Sequence, residues 1–109
     1  MSVPAIGALR RRVTLQAPIR ISDGGGGVTV AWSNVAVLWA EIRGLSGAGV
    51  VIAEGLQGKV SHEITIRKRT DVSPAMRLTY GARVFVIWAV LDGDGPDPFI
   101  RIQVEERLL

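Results

Sequence analysis

Apolar residues recur at every second position along most of this chain. That period suits an extended strand, whose side chains alternate between two faces, and does not suit a helix of 3.6 residues per turn. Val60, His62, Ile64 and Ile66 alternate with Ser61, Glu63, Thr65 and Arg67 in the clearest case. Val13 and Leu15 alternate with Arg12, Thr14 and Gln16, and Val28, Val30 and Trp32 with Thr29, Ala31 and Ser33. Ala36, Leu38, Ala40 and Ile42 line one face of the following segment, leaving Val37, Trp39, Glu41 and Arg43 on the other. Met76, Leu78 and Tyr80 make a short strand ended by Gly81-Ala82, and Ile100, Ile102 and Val104 make the last one. Val84 to Leu91 is apolar on both sides, with Trp88 sharing a face with Val84, Val86 and Val90. Such a segment is a central strand or has an outer face that meets another subunit. Turn residues, above all Asp23-Gly24-Gly25-Gly26-Gly27, separate the segments. The expected fold is mainly β: a small antiparallel β-barrel or sandwich of about six to seven strands. A length of 109 residues makes it one domain, 1–109, with a flexible N-terminal arm at 1–8.

Residues 44–58 break the rhythm. Ser46 could cap a short helix near 48–55, but Gly47, Gly49, Gly55 and Gly58 oppose it. Each glycine inside a helix costs about 1 kcal/mol relative to alanine. A long loop carrying the apolar turn Val50-Val51-Ile52 is the better reading.

Several function classes drop out on residue inventory. With no cysteine and one histidine, thiolate nucleophiles, disulfides and multi-histidine metal sites are excluded. No apolar run approaches the roughly 20 residues of a membrane-spanning helix. The start, MSVPAIGALRRRV, puts its charges after its apolar stretch, the reverse of a secretory signal. Gly55-Leu56-Gln57-Gly58-Lys59-Val60 resembles the end of a phosphate-binding loop, but Val60 replaces the metal-binding hydroxyl and Ala53 the first glycine. Asp92-Gly93-Asp94-Gly95-Pro96-Asp97 looks like part of a calcium loop, yet Gln103 stands where a bidentate glutamate is needed, so a solvated turn is expected. His62 lies on an apolar strand face, while its neighbours Ser61 and Glu63 point to the opposite one, which disfavours a relay. Neither a catalytic residue, a metal ligand nor a cofactor site is expected.

What remains is surface. The net charge is +3, with cations gathered in Arg10-Arg11-Arg12 and Arg67-Lys68-Arg69. Guanidinium groups bind phosphates bidentately, so both clusters are candidates for contact with DNA, and a small β-barrel nucleic-acid-binding domain is one reading of the chain. Trp39 and Trp88, with Val50, Val51 and Ile52, are candidates for subunit or partner contact, since exposed apolar surface on a small protein usually marks one.

Four stretches carry a family resemblance. Ile6-Gly7-Ala8-Leu9-Arg10-Arg11-Arg12-Val13-Thr14-Leu15-Gln16 is the first. Asp23 to Thr29, followed by Trp32, Val35-Ala36, Leu38-Trp39-Ala40 and Leu45-Ser46-Gly47, is the second. Ser61-His62-Glu63-Ile64-Thr65-Ile66-Arg67 is the third; Pro74-Ala75-Met76-Arg77 with Tyr80 to Phe85, Ile87 and Ala89-Val90 is the fourth. In order and spacing the chain resembles the phage head–tail joining proteins, also called head-closure or stopper proteins, which occur in phages, prophages and gene transfer agents. The resemblance implies a β-barrel virion protein that forms a homo-oligomeric ring in the particle neck after assembly in the host cytoplasm. A portal or adaptor protein would lie above it and a tail or terminator protein below. Double-stranded DNA would pass through the ring, which would help retain it, and the loop at 44–58 could narrow the channel. A ring subunit needs no active site. It needs two unlike side patches that meet head to tail.

Overall fold

The computed structural model describes residues 9–45, 55–56, 58–92 and 96–107. Six strands form in chain order: β1 (Arg11–Ser22), β2 (Val28–Gly44), β3 (His62–Arg67), β4 (Arg77–Tyr80), β5 (Arg83–Asp92) and β6 (Phe99–Arg107). No helix occurs among the described residues. The strands pair antiparallel in the order β1-β2-β3-β6-β5-β4 and close into a barrel where β4 meets β1. This seam is short: Thr14, Leu15 and Gln16 face Thr79, Leu78 and Arg77. The expected arm at 1–8, the candidates Val50, Val51 and Ile52, and most of the 44–58 segment lie outside the described residues.

Alternation puts one face of each strand inside, as the sequence pattern demands. Val13, Leu15, Ala40, Ile64, Leu78, Phe85, Ile102 and Val104 are all buried to within 1% in one core cluster. A barrel of so few strands has an interior that side chains fill, so the wall encloses a packed core and not a cavity. Full burial of each large aliphatic side chain contributes about 1.5–3 kcal/mol.

Two bulges alter the expected faces. Leu15 pairs with Ala36 but Gln16 with Asn34, so Val35 is an extra residue in β2. Ile87 pairs with Val104 but Ala89 with Gln103, so Trp88 is the extra residue in β5. A one-residue slip sends every later side chain to the other face. Val90 therefore opposes Ile102 and packs on the core, whereas Val84 and Val86 oppose Arg107 and Glu105. The expectation that Trp88 shares a face with Val90 is overturned, because strict alternation cannot register an inserted residue.

A second departure concerns 28–33 and 36–43. Both lie in one strand, β2, since the bulge at Val35 absorbs the change of face without a turn. β1 and β2 run on together past the seam with β4, pairing from Ala17↔Ser33 to Ser22↔Val28 as a two-stranded arm. At its tip Asp23 Oδ1 accepts the N–H of Gly25 (2.8 Å) and of Gly27 (3.0 Å), and Gly24 and Gly26 have φ of 81° and 85°. Such left-handed backbone explains the glycines of the run. The arm stretches the molecule to 51 × 28 × 28 Å.

Candidate partner-binding surface

The end of the barrel away from the arm holds the only histidine. His62 stacks edge-on against Phe85, with ring centroids 5.5 Å apart. Ser61, which precedes the strand, turns its hydroxyl back to lie 2.8 Å from His62 Nδ1 and does not point away as alternation suggested. Glu106, not Glu63, brings a carboxylate near the other ring nitrogen, at 3.9 Å. Each partner is nevertheless committed elsewhere. Ser61 Oγ accepts the backbone N–H of Glu106 at 2.9 Å, and Arg83 donates to both Glu106 oxygens at 2.7 and 3.0 Å. This group ties the ends of β3, β5 and β6 together.

The bidentate Arg83 bond, with its charge and that of His62, holds the Glu106 carboxyl below the usual glutamate range. A depressed folded-state pKa adds stability that is present above the unfolded value and lost as pH falls through the folded one. Glu106→Gln is therefore expected to melt below the parent at neutral pH, with the gap closing as the pH is taken below the ordinary glutamate range. Paired thermal melts from pH 7 to pH 3 measure this; a constant gap would contradict the assignment. Asp71, lowered likewise by its bond from Arg69, titrates in both proteins and cancels in the comparison.

The two basic clusters behave differently from each other. Lys68 is paired with Asp92 at 3.1 Å, and Arg69 donates to both oxygens of Asp71 at 2.9 and 2.8 Å. Alternation splits the first cluster. Arg11 reaches the Tyr80 hydroxyl at 3.2 Å, lining an open groove with Arg10, Glu41 and Ile42, whereas Arg12 lies on the outer wall with its guanidinium 5.3 Å from the Trp39 ring centre. Because Arg12 pairs with Trp39 and Ala40 with Ile66, Arg67 comes level with Trp39 across the next strand. Pairing of β1, β2 and β3 thus brings Arg12, Trp39 and Arg67, far apart in sequence, into one outward row.

That row continues along the outer face of β2. Arg77 on β4 reaches over β1, donating to Gln16 Oε1 at 2.7 Å and stacking 4.2 Å from the Trp32 ring centre. Burial pushes the Arg77 guanidinium below its ordinary pKa. Trp39 is 54% exposed beside Val37 at 55%, and Val30 on the arm is 54% exposed. Trp88 is half-buried: its indole N–H donates to Glu105 Oε1 at 3.2 Å and Lys59 sits over its ring at 5.1 Å. Reading the sequence missed Arg77 and Trp32 as a surface pair. Their juxtaposition is set by the seam between β1 and β4, and no local pattern records it.

The Asp92–Asp97 stretch presents no calcium cage at its described ends. Asp92 pairs with Lys68, and Asp97 Oδ1 accepts the Phe99 N–H at 3.0 Å.

Comparison with known proteins adds the last observations. The profile of the phage head completion protein family matches residues 4–107. A chain from the virion of a native gene transfer agent particle superposes with a TM-score of 0.63 at 25% identity, over 92% of this chain and 96% of that one. The solution structure of protein SF1141 from Shigella flexneri 2a superposes with a TM-score of 0.68 at 25% identity, over 94% and 96%. No curated protein sequence matches.

Proposed function

Because the chain belongs to the phage head completion protein family, we propose that it completes the head of a tailed phage or phage-like particle as a ring in the neck. In this reading it lies between the portal with its adaptor and the tail or terminator protein, and the ring lengthens the path of the packaged double-stranded DNA. The observation that carries the reading is the family match over nearly the whole chain, shared with a fold whose interior is filled and whose β1–β2 wall is exposed. A subunit of this kind acts by shape. Head-to-tail contacts close a ring only where the rotation between neighbours closes, and they require two unlike patches. In this reading the exposed outer face of β2, which runs from Trp39 onto the β1–β2 arm, supplies one of them. A modest charge of +3 suits a channel wall that DNA must slide past, since many phosphate contacts would hold it.

The rival reading, a nucleic-acid-binding barrel, draws on the two basic clusters. Their capacity for phosphate is reduced by the engagement of Lys68 with Asp92 and of Arg69 with Asp71. Cryo-electron microscopy of the particles tests the proposal: density for this chain is expected as a ring where head meets tail. Particles whose neck lacks it would end the proposal.

A further inference from the structure

Among the described residues, one edge of β2 is open over most of its length. On one side β2 pairs with β1 from Val28 to Ala40, but on the other it pairs with β3 only from Ala40 to Gly44. Among the described residues nothing pairs with the second edge of 28–39. Natural sheets protect such edges with prolines, lysines or short strands; this stretch has none of these beyond the bulge at Val35, and its outward side chains Val30, Val37 and Trp39 are more than half exposed. Backbone donors and acceptors with alternating apolar side chains match another extended peptide, which can add as one more strand.

Charge selects the kind of peptide. Arg12 and Arg77 hold their guanidinium groups over Trp39 and Trp32, the two rings of this stretch, and neither meets a carboxylate of the described residues. Arg67 flanks the point where β3 leaves the edge, and its side chain is exposed. Five carboxylates elsewhere on the barrel already have cations: Glu63 is engaged with Arg43, Asp71 with Arg69, Asp92 with Lys68, Glu105 with Arg107 and Glu106 with Arg83. A second copy pairing edge to edge would set arginine against arginine. Duplex DNA offers phosphates, but it can neither satisfy a strand edge nor use Val30 and Val37.

We propose that the open edge of β2, residues 28–39, is a docking strip for an extended acidic segment of another protein, which adds as a strand there and seats its carboxylates on Arg12 and Arg77. Trp32 and Trp39 lie seven positions apart, but with Val35 inserted between them they face Pro18 and Arg12, six positions apart on β1, which is about 20 Å along a strand. The partner segment therefore carries two acidic positions about six residues apart, on one face, with small apolar residues at the same-face positions between them. The inference rests on the exposed face alone and stands whether or not the chain forms a ring.

The test uses the full-length protein and a synthetic valine-rich peptide of about twelve residues with two glutamates about six positions apart, long enough to cover the strip. Tryptophan fluorescence and calorimetry follow binding at low salt. Saturable binding is expected, weakened at least about tenfold by Arg12→Glu, by the double change Arg12→Ala with Arg77→Ala, and by N-methylation of alternate peptide amides, which blocks strand pairing. Arg12→Glu alone keeps the test sound if losing the Arg77–Gln16 bond disturbs folding, since Arg12 rests on the exposed Trp39 ring at the barrel surface. Any of four results overturns the proposal: no binding up to millimolar peptide; equal binding of the valine–lysine or the N-methylated peptide; displacement of the peptide by a short DNA duplex; or arginine-dependent self-association in sedimentation. The first two dismiss the acidic strand, the third assigns the face to nucleic acid and the fourth to a second copy.

Discussion

An Ile102→Asp chain is expected to be unfolded at neutral pH. Ile102 sits on β6 between Ile64 of β3 and Val90 of β5, and it is fully buried. A carboxylate there would meet apolar side chains and no cation, and the penalty for an uncompensated buried charge is several kcal/mol. Domains of this size are stable by about 5–15 kcal/mol, so that loss, added to the lost packing of isoleucine, removes most or all of it. The pH dependence has a fixed sign. Burial raises the folded-state pKa of the new carboxyl, so the folded form is favoured below the ordinary carboxylate range and disfavoured as pH rises through it. Circular dichroism at pH 7 and pH 4 should show a disordered chain in the first and regained strand signal in the second. Val37→Asp, on the outer wall of the same barrel, should stay within about 0.5 kcal/mol of the parent. If Ile102→Asp melts like the parent at neutral pH, the interior is not the dry core described.

The second large effect separates folding from assembly. Replacing Pro18–Trp32 by Asn-Gly, so that Ala17 and Ser33 are joined by a two-residue hairpin turn, should leave a folded barrel. The arm contributes little burial: Ile19, Ile21, Val28 and Val30 are 46%, 48%, 58% and 54% exposed. Its main tie to the barrel is the stack of Arg77 on Trp32, worth on the order of 0.5–2 kcal/mol. For a domain of this size that predicts a fall in Tm of roughly 2–16 °C. Head completion should suffer far more. If the arm carries part of a contact between neighbours, loss of interface anchors worth at least about 2 kcal/mol lowers the yield of tailed particles by more than about tenfold. Particle counts by electron microscopy, with the melting curve as control, decide the matter. Normal tailing by the shortened chain would remove the arm from the assembly. Failure to fold would show instead that the arm belongs to the barrel's stability.

Much of this was legible in the residue order. Alternation located β1, β3, β4 and β6 and assigned Ile64, Ile66, Leu78 and Ile102 to the core, because the two-residue period is a property of the strand itself. It failed at Trp88 and around Asn34-Val35, where an inserted residue changes the face of every later one in the strand and leaves no mark in composition. It also treated Arg10-Arg11-Arg12 as a unit, although neighbours in a strand diverge: Arg11 goes to Tyr80 and Arg12 to Trp39. Gln103 is the plainest miss. It reads as an outward polar residue between Ile102 and Val104, yet it is completely buried.

The residue pattern by itself determined that the chain forms strands, that they bury one face, and that it is kin to the head completion proteins. Only the tertiary structure decided which strands meet, where β2 lacks a second neighbour among the described residues, and which arginines find carboxylates. The division comes from range. Side-chain alternation and turn chemistry act over a few residues and are written locally. Closure of the seam, the two bulges and the row that joins Arg12, Trp39 and Arg67 depend on segments tens of residues apart coming into register, and the packing of the whole barrel sets that register.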